Sequence, residues 1–97
     1  MITIDLNFEP PFNELTKKLR EKVQLEENST LIDLLEKLDE IYGEEFRKLI
    51  WDKKNDEELN KLLSIIINGK NYRDDKFLDT KLKENDDITF LYIYFGG

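Results

Sequence analysis

Ile2, Ile4, Leu6 and Phe8 occupy every second position, with Thr3, Asp5 and Asn7 between them. A period of two predicts a strand with one buried and one solvated face. Pro10-Pro11 stops it, since neither proline can donate to a ladder, and a polar loop is expected next. Lys22-Val23-Gln24-Leu25 reads as a second short strand, hairpinned to the first. The period then changes. Leu31, Leu34, Leu35, Leu38, Ile41 and Tyr42 recur at three and four, an apolar helical stripe. Thr30 with Asp33 three residues on resembles a capping box, and Gly43 is placed to terminate the helix.

Residues 44–51 carry Phe46, Leu49 and Ile50 at helical spacing, which predicts a short second helix. Residues 52–58 form a charged loop. A calcium loop needs acceptors at alternate positions and a glycine at the sixth; Lys54 stands where an acceptor belongs, so the segment reads as a solvated turn. Residues 62–67 are a nearly continuous apolar run, closed by the turn signal Asn68-Gly69. This predicts a third strand, buried on both faces over part of its length, with a brief return strand at 70–72. Residues 74–79 read as irregular. Residues 83–87 read as a turn in which Asn85 takes the left-handed conformation. Residues 88–95 form a final strand.

The order strand, strand, helix, short helix, strand, short strand, strand predicts one α+β domain over residues 1–97. Its first and last strands lie parallel at the centre of a mixed sheet with helices on one face, the β-grasp or ubiquitin-like topology. The expected core comprises Ile2, Ile4, Leu6, Val23, Leu31, Leu34, Leu35, Leu38, Phe46, Ile66, Ile88 and Phe90, with Trp51 as a lid on its edge.

Composition removes most chemistry. The chain has no Cys and no His, which excludes disulfides, thiolate nucleophiles, imidazole bases and zinc sites built on either residue. Glycine occurs only at 43, 69, 96 and 97, so there is no glycine-rich phosphate loop. Fifteen basic against 22 acidic residues give a net charge of −7, which disfavours nucleic acid and anionic lipid as partners. The apolar runs are too short to span a membrane and no secretory signal opens the chain, so the expected location is cytoplasmic.

The sequence ends Gly96-Gly97. An extended pair without Cβ atoms can enter a channel too narrow for other residues, and at the tip of a flexible tail it presents an unhindered main-chain carboxylate. Such a carboxylate can attack the α-phosphate of an ATP held by a partner. The reactive group is then the terminus itself, which suits a chain lacking nucleophilic side chains.

Several segments resemble, in order, the MoaD/ThiS family of ubiquitin-like sulfur carriers, MoaD-type proteins in particular. Asn13-Glu14-Leu15-Thr16 resembles the family's R-E-L-T loop, and the stretch from Ser29 to Leu35 (S-T-L-I-D-L-L) its A-T-V-x-D-L-L helix start. Ile67-Asn68-Gly69-Lys70 resembles its V-N-G-x turn. The stretch from Leu82 to Phe90 resembles L-K-x-G-D-x-V-x-F ahead of the diglycine. The resemblance implies that Gly97 is adenylated and converted to a thiocarboxylate, with Gly96 as the slim residue before it. It implies a role as small subunit of molybdopterin synthase, supplying sulfur for a molybdenum or tungsten cofactor. Thiamine or tRNA thiolation, protein modification, or a non-carrier interaction module are the alternatives.

No cofactor is expected on this chain, which is a co-substrate and not an enzyme; ATP and Mg²⁺ belong to the activating partner. The implied partners are a MoeB/ThiF-like adenylating enzyme, a sulfur donor and a MoaE-like large subunit. Leu91, opposite in parity to Ile88 and Phe90, is expected to face a partner. Tyr92, Tyr94 and Phe95, in a tail where family members usually carry Pro-Pro-Val-Ala, are expected beside it. Asn7 stands where the family often has an aromatic residue.

Overall fold

The alternating N-terminal residues form β1 (Ile2–Phe8), with every even residue buried. In the computed structural model, which describes residues 1–55, 57–71 and 76–93, β1 is followed by α1 (Phe12–Thr16) and β2 (Arg20–Leu25). Then come α2 (Leu31–Tyr42), α3 (Glu44–Ile50), β3 (Leu63–Ile67), a 3-10 turn (Phe77–Asp79) and β4 (Asp87–Tyr92). The strands form one sheet in the order β2-β1-β4-β3. β1 pairs antiparallel with β2, from Ile2 opposite Leu25 to Asn7 opposite Arg20. β1 and β4 run parallel, from Asp5 beside Asp87 to Phe8 beside Phe90. β3 returns antiparallel along β4, from Leu63 opposite Tyr92 to Ile67 opposite Ile88. This is the expected β-grasp arrangement.

The Asp33 carboxylate starts α2, accepting the Thr30 N–H at 2.8 Å and the Thr30 hydroxyl at 3.1 Å. That ties down the turn in which helix N–H groups lack intrahelical partners. Gly43, at φ +82°, ends it with its N–H on the Asp39 carbonyl at 2.8 Å, a conformation that suits a residue without Cβ. Leu31, Leu34, Leu35 and Leu38 are fully buried against the even face of β1. Ile41 departs from the expected stripe: it is 49% exposed at the helix end, while Tyr42 packs on the core.

Four other expectations need correction. The segment after Pro10-Pro11 is a helical turn, α1, and not a polar loop. Its Phe12 is fully buried, with its ring tilted against those of Phe46 and Phe90 and edge-on to that of Tyr92. In β3 the core residues are Leu63, Ile65 and Ile67, and Ile66 is only partly buried on the opposite face. Pairing with β4 sets this parity, because Ile65 lies opposite Phe90. The return strand at 70–72 reduces to a bridge between Lys70 and Ile67, closing the turn; Tyr72 lies outside the described residues. Within 74–79, a 3-10 turn buries Phe77. The last strand is described from Asp87 to Tyr92; residues 94 and 95 of the expected strand lie outside the described residues.

The other core expectations match, and Trp51 is 7% exposed with its indole N–H on Asp39 Oδ2 at 3.3 Å. Asn85 adopts φ +68° in the turn before β4, donating its N–H to the Thr3 carbonyl at 2.8 Å. Among the described residues no helix is long and apolar enough to cross a membrane.

Candidate functional site

The sheet face away from the helices is built from the odd residues of β1 and β4 and the even residues of β2 and β3. It divides into two halves. On the β2 and β1 side it is charged. A shallow groove of about 690 Å³ is lined by Asp5, Asn7, Arg20, Lys22 and Asp87, with Leu6 and Glu21. Lys22 pairs with Asp5 at 2.8 Å, and this hydrogen-bonded carboxylate holds the ammonium above its ordinary pKa. Asn7 donates its amide to Asp87 Oδ1 at 2.9 Å and to Thr89 Oγ1 at 3.3 Å. The side chain standing where the family often has an aromatic is therefore tied down within the sheet face.

On the β4 and β3 side the face is apolar. Leu91 lies opposite Ser64, and Ile66 opposite Thr89, so Leu91 and Ile66 are diagonal neighbours on adjacent strands. Leu62 and Ile93 extend the strip. They are 38% and 39% exposed and joined by the Ile93 N–H on the Leu62 carbonyl at 2.8 Å. Clustered, partly exposed aliphatic side chains are suited to docking a protein surface. Leu91 sits on this face by the same alternation that sends Ile88 and Phe90 inward. Ile66, Leu62 and Ile93 were not anticipated there. The run at 62–67 is apolar at nearly every position, and only its register on β4 separates the two faces.

Tyr92 was grouped with Leu91 but belongs to the other side. Its ring meets Phe12 edge-on at 5.5 Å, and its hydroxyl donates to the Leu49 carbonyl at 2.6 Å. Tyr94, Phe95, Gly96 and Gly97, the other expected site residues, lie outside the described residues. The described part of the site is the apolar strip beside the end of β4.

A second polar centre lies behind the sheet. Asp39 accepts from Trp51 and, at 3.4 Å, from Arg47. Burial raises its pKa despite these two contacts. Among the described residues, no three potential His, Cys, Asp or Glu ligands group to hold a metal ion.

The model of the ThiS family matches residues 11–97. A protein of Archaeoglobus fulgidus, provisionally named a sulfur carrier, is 31% identical over 71 residues, covering 73% of this chain and 77% of the relative. The small archaeal modifier protein 1 of Methanosarcina acetivorans superposes with a TM-score of 0.80 at 26% identity, covering 100% of this chain and 98% of that one. A Pyrococcus furiosus protein, provisionally named molybdopterin converting factor subunit 1, has the same fold. Its TM-score is 0.76 at 20% identity, with 97% of this chain and 100% of that one covered. The extent of the family match, the level of identity and the parallel β1–β4 sheet agree: the chain belongs to the ThiS family, within the MoaD/ThiS group of ubiquitin-like sulfur carriers.

Proposed function

We propose that the chain carries sulfur on its terminal glycine for the synthesis of a molybdopterin-type cofactor. The observation that carries this reading is the family match, which runs through Gly96-Gly97. The Gly97 carboxylate attacks the α-phosphate of ATP held with Mg²⁺ by a MoeB/ThiF-like adenylating enzyme, and pyrophosphate leaves. The sulfur of a donor then attacks the acyl carbon and displaces AMP, leaving a thiocarboxylate. Gly96 keeps the approach to the enzyme's channel narrow. The strip of Leu91 and Ile66 docks against the enzyme, and afterwards against a MoaE-like large subunit that takes the sulfur. The segment between α2 and β3 supports the MoaD-like branch, since ThiS proteins are usually shorter there. The likeness to a protein named as a modifier favours attachment to other proteins as the second reading.

Intact-mass measurement after incubation with the adenylating enzyme, Mg·ATP and sulfide tests the proposal. The expected product has one oxygen exchanged for sulfur. Removal of Gly97 withdraws the carboxylate by about 3.5 Å, and a misplacement of ~1 Å can already cost about 100-fold. The truncated chain is therefore expected to give no adenylate at unchanged thermal stability; full adenylation of that variant would remove the carrier reading. Sulfur transfer to a molybdopterin precursor in the presence of the large subunit, against conjugation to lysines, separates the two readings.

A further inference from the structure

β2 is an edge strand, paired with β1 alone. The Phe8 N–H on the Leu19 carbonyl, at 2.8 Å, fixes which of its backbone groups point inward. In an antiparallel pair, residues that exchange bonds alternate with residues that do not. Glu21, Val23 and Leu25 therefore bond to β1, while Arg20, Lys22 and Gln24 turn N–H and C=O away from it. The facing strand agrees. Asp5 and Thr3, opposite Lys22 and Gln24, give their backbone groups to the far side: the Asp5 N–H donates to the Asp86 carbonyl at 2.9 Å, and the Thr3 carbonyl accepts from Asn85 at 2.8 Å. Among the described residues nothing bonds to the outward backbone groups of Arg20, Lys22 and Gln24. The other edge differs. β3 is tied at both ends by its own chain, with Ile67 and Lys70 exchanging bonds at 2.9 and 3.0 Å and the Leu63 N–H on the Asn60 carbonyl at 3.1 Å. An open edge is a template for a further strand.

The side chains select what pairs there. Arg20, Lys22 and Gln24 are exposed and form the outer row of the edge, with two cations and no acid. Asp5, which pairs with Lys22, stands one strand inward. An added strand lies on the other side of β2, and its directly opposite residues are the neighbours that count, like charges there being unfavourable. The antiparallel register in which a second copy uses all three outward residues sets Lys22 against its own counterpart. Acidic residues at alternate positions meet Arg20 and Lys22 instead. The inner row offers Val23 and Leu25, both buried, which favours apolar residues between the acids.

We infer that the β2 edge is a docking site for an acidic, extended segment of another protein, which joins the sheet as a strand through the backbone of Arg20, Lys22 and Gln24. The site lies across the sheet from the strip of Leu91 and Ile66, and it stands whether or not the chain carries sulfur.

The probe is a blocked six-residue peptide of alternating aspartate and valine, titrated against the isotope-labelled full chain by NMR, with a peptide carrying lysine for aspartate beside it. At saturation, exchange of the Arg20, Lys22 and Gln24 amides with water is expected to slow at least about tenfold. The lysine peptide is expected to bind at least about fivefold more weakly, since attractive cross-strand pairs become repulsive. Arg20→Glu is expected to narrow that difference. Gln24→Pro deletes one outward N–H, which an edge strand tolerates, and is expected to abolish binding while the core resonances of Ile4 and Val23 persist. Equal binding of the two peptides overturns the acidic occupant. No binding up to about 5 mM peptide, or shifts confined to Leu91 and Ile66, overturns the site. Slow exchange at the three amides without peptide, with a dimeric mass in sedimentation, overturns the inference in favour of a second copy.

Discussion

Phe12 has no exposed surface and sits 5.7 Å from the rings of both Phe46 and Phe90, so it joins α1, α3 and β4 at one point. Phe12→Ala leaves a cavity between elements that cannot easily close. The expected loss is about 3–5 kcal/mol in urea unfolding. Asp39 acts in the opposite sense. Burial raises its carboxyl pKa in the folded state, so the folded chain keeps that proton to higher pH than the unfolded chain does. Its contribution to stability is therefore lost as pH rises through the folded value. An amide at this position does not titrate. The stability of Asp39→Asn relative to the unaltered protein is expected to be more favourable at about pH 7 than at about pH 4, as measured by paired urea melts.

The two faces of β3 make separable predictions. Ile65 is buried opposite Phe90, and Ile66 lies beside Leu91 on the outer face. Ile65→Asn is expected to cost about 3–5 kcal/mol by losing apolar burial and burying an amide. Ile66→Asn is expected to cost about 1 kcal/mol or less while weakening binding to the adenylating enzyme, as titration calorimetry would show. The sequence did not separate these neighbours. The one polar residue in the run, Ser64, shares the outer face with Ile66 and takes a hydrogen bond from Asn71 at 2.8 Å, but a single polar position does not establish a period. By contrast, β1 and α2 were legible because each shows several turns of one period, and Leu91 because its strand alternates. α1 and the 3-10 turn span five and three residues, too few for a period to register. Their Phe12 and Phe77 are isolated apolar residues whose burial depends on distant parts of the chain.

Across the whole molecule, charge and topology have different consequences. The net charge of −7 favours a basic surface on the activating partner and acts mainly on encounter. Stopped-flow association is expected to slow steeply with ionic strength while dissociation changes little; an association rate indifferent to salt would exclude steering. Topology bears on synthesis. β1 leaves the ribosome before the other three strands, yet one of its two neighbours, β4, is translated after all of them. Throughout that interval a nascent hairpin displays Leu6 and Phe8 beside an unpaired backbone edge at residues 5–8, a template for pairing with other chains. Ile2 and Ile4 share the same bare face until α2 follows. β1 therefore depends, for its solubility during manufacture, on whatever shields it until β4 has emerged.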